Sequence, residues 1–199
     1  MRKIFIICTV FILLFAVGCA STNSDAVNNY MSQLSDSSSE KDSEWTYRYY
    51  VDDFGNATSE AYMRLKDTYA EGLFSNSATN NSQMYAKFLV NRSDIDIELF
   101  EYDSMFPVTL LSFERAYIKV QTDNGETIDL GTCYAHYNGK RISIERNSAL
   151  KLFQAMSTSK SIKFRIVVSS EYGSSDIYNF SVDTTGFVRT YQQAFPAIK

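Results

Sequence analysis

Histidine, proline and cysteine are scarce in this chain, and its bases do not match its acids. One His and three Cys cannot furnish a His- or Cys-rich zinc centre. The same cysteine count excludes a disulfide framework, so stability has to come from burial. Acids outnumber bases 23 to 19, which argues against nucleic acid and against an electrostatic membrane-binding face. No Gly-rich phosphate loop of Walker or dinucleotide type is present. Gly72-Leu73-Phe74-Ser75 lacks the second glycine of a nucleophile elbow. Only two prolines punctuate runs that are otherwise separated by turns, a pattern that favours antiparallel β over a parallel α/β sheet.

What the chain does have begins at its first residues. Arg2 and Lys3 precede 14 uncharged residues, Ile4 to Val17, and then Gly18 and Cys19. A basic n-region, an apolar h-region and a small-residue cleavage site make the plan of a secretory signal. The run is shorter than the roughly 20 apolar residues that span a bilayer. Ala16-Val17-Gly18-Cys19 resembles the lipobox of bacterial lipoproteins, with Ala16 where Leu is commoner. The resemblance covers residues 1–19 only. It implies removal of residues 1–18, lipidation of the Cys19 sulfur, and attachment to the membrane of a bacterial cell envelope through Cys19. Ala20, where an Asp would retain the protein at an inner membrane, implies an outer-membrane address if the host has one. Cys8 then leaves with the signal, Cys19 is blocked, and Cys133 remains without an internal partner. Loss of Arg2 and Lys3 takes the formal charge from −4 to −6.

Residues 19–43 are dominated by Ser, Asn and Asp and read as a lipidated N-terminus followed by a flexible tether. A coil of that length reaches about 25–30 Å. The bulky apolar residues Val27, Tyr30, Met31 and Leu34 fall at i, i+3, i+4 and i+7, so a short helix is the alternative.

Residues 44–199 read as one all-β domain, mainly antiparallel, a sandwich or barrel with one or two short helices. Trp45, Tyr47, Tyr49 and Val51 alternate with polar neighbours, as do Met84-Ala86-Phe88-Val90, Ile95-Ile97-Leu99 and Ile162-Phe164-Ile166-Val168. Asp123-Asn124-Gly125 and Asn138-Gly139 are hairpin turns. Gly72 suggests a bulge in a third strand. The period changes to helical at residues 148–157, with Ser148 as N-cap, and again near Gly186 to Ala194. The sum is about ten strands, with 14 Tyr and 14 Phe to fill the core.

Cys133 and His136 are the tempting catalytic pair. Residues three apart on a strand point to opposite faces, so the dyad fails on geometry. The acidic turns at Asp52-Asp53 and at Asp123, Glu126 and Asp129 match no calcium loop. Neither a metal, a cofactor nor a catalytic residue is expected. Asp94, Asp96 and Glu98 share one strand face about 6.6 Å apart along the chain, which suits a solvated row as well as an acid–base pair. The candidate recognition loop is Ser75, Asn76, Ser77, Thr79, Asn80, Asn81 and Ser82, with Tyr49, Tyr50, Tyr62 and Tyr134 as exposed aromatic faces. The expected function is a non-catalytic binding or envelope-associated module with a protein or glycan ligand. The alternatives are a glycan-active hydrolase and a protein-interaction or inhibitor lipoprotein.

Overall fold

The computed structural model describes residues 23–35, 43–102, 106–111, 114–136, 138–169 and 175–196. The expected signal (residues 1–18), Cys19, and residues 20–22 and 36–42 of the expected tether lie outside these. In chain order the elements are α1 (Asn23–Ser32), β1 (Trp45–Val51), β2 (Ala57–Leu65), β3 (Ala70–Ser75), β4 (Ser82–Val90), β5 (Ile95–Glu101) and β6 (Phe106–Pro107). There follow β7 (Arg115–Thr122), β8 (Thr127–Ala135), β9 (Ile142–Ile144), α2 (Arg146–Thr158), β10 (Ser161–Ser169), β11 (Ser175–Asp183) and α3 (Phe187–Ala194).

Every strand pairing is antiparallel. The order β4-β3-β11-β10-β7-β8-β9-β5 closes on itself because β5 also pairs with β4, giving an eight-stranded barrel. Period-two patterning produces this wall directly. In β7, Ala116, Ile118, Val120 and Thr122 are buried, while Arg115, Tyr117, Lys119 and Gln121 face out. The interior is filled, as barrels of this size generally are. Phe164 stacks on Phe180 at 5.0 Å, and Phe88 meets Phe164 edge-on at 5.4 Å. Trp45 carries the aromatic contacts onward to Phe187 at 5.1 Å, and Phe153 continues them at 5.8 Å. Barrel and helices therefore share one core.

Turn chemistry acts where the sequence places it. Gly125 adopts φ 88°, and Thr122 and Glu126 close the turn around it through a backbone hydrogen bond of 2.9 Å. Two expectations change. Gly72 forms no bulge: β3 pairs in regular register with both β4 and β11. A Cβ there would stand 2.3 Å from the Asn179 carbonyl oxygen, so the glycine permits close approach of two strands. Register shifts fall instead between Ile118 and Lys119, opposite Gly131, and between Tyr49 and Val51 in the β1–β2 pair. Ser148 is not an N-cap either. The helix starts earlier, at Arg146, and the Ser148 hydroxyl donates to the Leu130 carbonyl at 2.7 Å, tying α2 to β8.

The segment read as tether also holds structure. α1 uses the i, i+3, i+4, i+7 pattern to bury Val27 and Met31 completely, with Tyr30 and Leu34 packed beside them. Its neighbours are α2 and α3, and the three helices cover one end of the barrel. Among the described residues no helix is long and apolar enough to cross a membrane.

Candidate functional site

β1 and β2 form a ribbon outside the barrel. Six register pairs join them, but β2 meets β4 through one pair, Met63 with Val90. Trp45 supplies the other attachment: its Nε1 donates to the Asp183 carbonyl at 3.0 Å, and its ring lies between Phe88 and Phe187. The ribbon leans over the outer side of β4 and β5, and the alternation of both strands breaks there. Leu89 and Asp96 occupy outward positions opposite one another, yet both are buried. A wall position that period two assigns to solvent has become the floor of a recess.

That recess encloses about 370 Å³ between the ribbon and the wall. Tyr49, Tyr50, Tyr62 and Arg64 line it on one side, Lys87, Leu89 and Arg141 on the other. Tyr50 and Tyr62 stand 4.8 Å apart, tilted by 41°. The Tyr50 hydroxyl donates to Asn91 Oδ1 at 2.9 Å, and Asn91 Nδ2 donates in turn to Asp94 Oδ1 at 2.6 Å. Beyond Tyr50 a second recess of about 340 Å³ opens toward Asp94, Arg92 and Phe195.

Beneath the ribbon the ionisable groups form two rows. In the first, Arg141 Nε donates to Glu98 Oε1 at 2.7 Å while Lys87 Nζ stands 3.7 Å from Glu98 Oε2. Both oxygens of Glu98 are engaged, which holds the guanidinium at the recess mouth. In the second row the Ser143 hydroxyl donates to Asp96 Oδ1. Burial raises the Asp96 carboxyl above its ordinary value; the Ser143 bond opposes this, Asp94 adds to it, and Arg141 and His136 offset it. The Tyr50 phenol is raised by burial and partly relieved by Arg141.

The other sequence-selected residues are distributed elsewhere. Cys133 is buried in the barrel, where desolvation pushes its thiol up to about 11, away from nucleophile character. Tyr134 is exposed on the outside of β8 under the Arg115 guanidinium, 5.1 Å from the ring centroid. The Ser75–Ser82 loop lies at the barrel end away from the helices, about 26 Å along β4 from Val90. Its polar groups largely bond to one another. Ser75 Oγ donates to Asn80 Oδ1 at 2.8 Å, and Asn76 Oδ1 accepts from the amides of Ala78 and Thr79 at 2.9 and 3.0 Å. Asn76 also bonds Glu101, whose carboxyl is raised by burial and which accepts the Tyr178 hydroxyl at 2.8 Å. Asp52 is held below the usual carboxylate range, first by the Asn56 amide, so that acidic turn is explained by its own backbone. Among the described residues no group of three or more His, Cys, Asp or Glu is placed to hold a metal.

Sequence reasoning singled out Tyr50, Tyr62, Asp94, Asp96 and Glu98 but did not join them. It missed Lys87, Arg141 and Ser143. Lys87 faces Glu98 across the adjacent strands β4 and β5, a pairing local enough to be found in the sequence, whereas Ser143 and Arg141 require the β5–β9 register. Fold and site together define a small antiparallel barrel with a filled interior and, among its surface recesses, two beside a projecting ribbon. No family model, curated protein or solved structure matches the chain.

Proposed function

We propose that this chain is an exported, lipid-anchored binding module of the bacterial envelope, attached through Cys19 and taking its ligand in the recess under the β1–β2 ribbon. The observation that supports this reading is the burial of Leu89 and Asp96 on the outside of the barrel. A filled barrel has no lumen to offer a ligand, and here a roofed, aromatic-walled recess stands beside it. Tyrosine rings cover C–H faces, while Arg64, Lys87 and Arg141 donate to hydroxyl groups, a combination suited to a glycan chain. The second reading, a glycan hydrolase, draws on the raised Asp96 carboxyl next to Asp94.

One titration tests both. The isotope-labelled protein is mixed with soluble cell-wall oligosaccharides, and amide shifts and reducing-end release are followed together. The binding module predicts saturable shifts at Tyr50, Tyr62 and Arg141, no release, and an affinity about tenfold weaker in Tyr62→Ala, about 1.4 kcal/mol. Release that disappears in Asp96→Asn selects the hydrolase. Shifts nowhere in the recess across the panel would sink both.

A further inference from the structure

α1 starts at Asn23, and the cysteine of the lipobox-like stretch stands at position 19. Four peptide steps separate them. An extended chain covers at most about 3.3–3.6 Å per residue, so residue 19 lies within about 14 Å of the start of α1 in any conformation. α1 is itself fastened to α2 and α3, which pack on the barrel. Gln192 Nε2 donates to the carbonyls of Met31 and Leu34 at 2.9 and 2.8 Å, and the Tyr191 hydroxyl donates to Asn28 Oδ1 at 2.9 Å. Tyr30 and Ser157 share a hydrogen bond of 2.9 Å, which adds α2 to the attachment. The leash between lipid and folded domain is therefore a few residues, well short of a free coil of 24.

Building on the lipid-anchored reading, we infer that the helical end of the barrel lies against the bilayer surface, with the Ser75–Ser82 loop pointing away from it. The chemistry of that end fits contact with headgroups and not insertion. The apolar residues of α1, Val27 and Met31, are consumed by the barrel core, so no amphipathic face is left for the acyl region. Its exposed side carries Asp25, Asn29, Ser32 and Gln33, hydrogen-bonding groups with a single charge. Between α1, α3 and the β4–β5 turn a cavity of about 590 Å³ opens, with Asn28 and Arg92 among its lining groups, donors that match phosphate and carbonyl oxygens, and with the Asp25 carboxylate at its α1 side. The second recess, beyond Tyr50, shares Arg92 and Phe195 with this cavity, so that side of the ribbon adjoins the helical end.

The test uses the full chain, acylated in cells and reconstituted in phosphatidylcholine vesicles carrying a headgroup spin label. A fluorophore is placed at Asn29→Cys or at Asn80→Cys; Cys133 is buried and does not compete. Quenching at position 29 is expected to exceed that at position 80 severalfold. Inserting about 20 Gly and Ser residues between Ser21 and Thr22, a coil of about 25 Å, is expected to abolish the difference. Equal quenching at both positions with the native spacing overturns the orientation while leaving the anchor intact. A mass spectrum without acyl groups on Cys19 overturns the anchor, and the orientation with it.

Discussion

Asp96 occupies an outward position on β5 and is nonetheless buried, because the β1–β2 ribbon covers it. Its carboxyl is raised above the ordinary 3.8, chiefly by desolvation. The folded state therefore holds this proton to higher pH than the unfolded chain does. Between 3.8 and the folded value the native state binds more protons, so stability from this group falls as pH rises through that window. Above that window the ionised Asp96 is a net cost to folding. Asp96→Asn keeps an oxygen to accept the Ser143 hydroxyl and removes the charge. The variant is expected to melt higher than the parent at pH 7, with the gap closing as pH falls toward 3.8. Calorimetry across pH checks this, and a lower melting temperature for Asp96→Asn at pH 7 would refute it.

Among the elements, the seam between β3 and β11 decides whether the barrel closes. It consists of four register pairs, from Ile177 with Ser75 to Phe180 with Gly72. A methyl group at Gly72 would meet the Asn179 carbonyl oxygen at 2.3 Å and Phe180 Cβ at 2.5 Å, neither of which can rotate aside. Gly72→Ala is expected to cost at least the upper end of the about 1–3 kcal/mol typical of overpacking. Urea denaturation reads this as a lower midpoint at unchanged slope. A loss below about 0.5 kcal/mol, within the range of neutral surface changes, would show that the strands part freely there. The same seam marks how far the sequence could be read. The strands were legible because Ile162-Phe164-Ile166-Val168 and its kind alternate cleanly, and local hairpins were legible from Asp123-Asn124-Gly125 and Asn138-Gly139. Pairing of β3 with β11 joins residues about a hundred positions apart, and nothing local encodes it. The recess was half legible for a related reason. Asp94, Asp96 and Glu98 were visible as one face, but the partners Ser143 and Arg141 come from β9 and the turn before it. The roof of tyrosines comes from a ribbon attached by one ladder pair.

Across the whole molecule, barrel and helices share a core on unequal terms. α1 holds its place through contacts with residues 127 to 163 positions away, while the barrel strands are cross-paired on both sides. Composition alone leaves α1 with too little apolar surface to order itself; Val27 and Met31 order it only by finding the cleft above α2 and α3. Such an element opens at lower free energy than the strands it rests on. Native-state hydrogen exchange is expected to show α1 amides exchanging well before those of β10 and β11. Replacing both Val27 and Met31 by Ala removes side chains whose burial is worth about 1.5–3 kcal/mol each. The double variant is expected to lose protection in α1 while the strands keep theirs, and under the proposed anchor at Cys19 the leash then lengthens to include the freed helix. In vesicles that variant should behave like the Gly and Ser insertion, with quenching at position 29 falling toward that at position 80. Protection lost in step across α1, β10 and β11 would instead make α1 part of one cooperative unit with the barrel, and its release could not then be used to lengthen the leash.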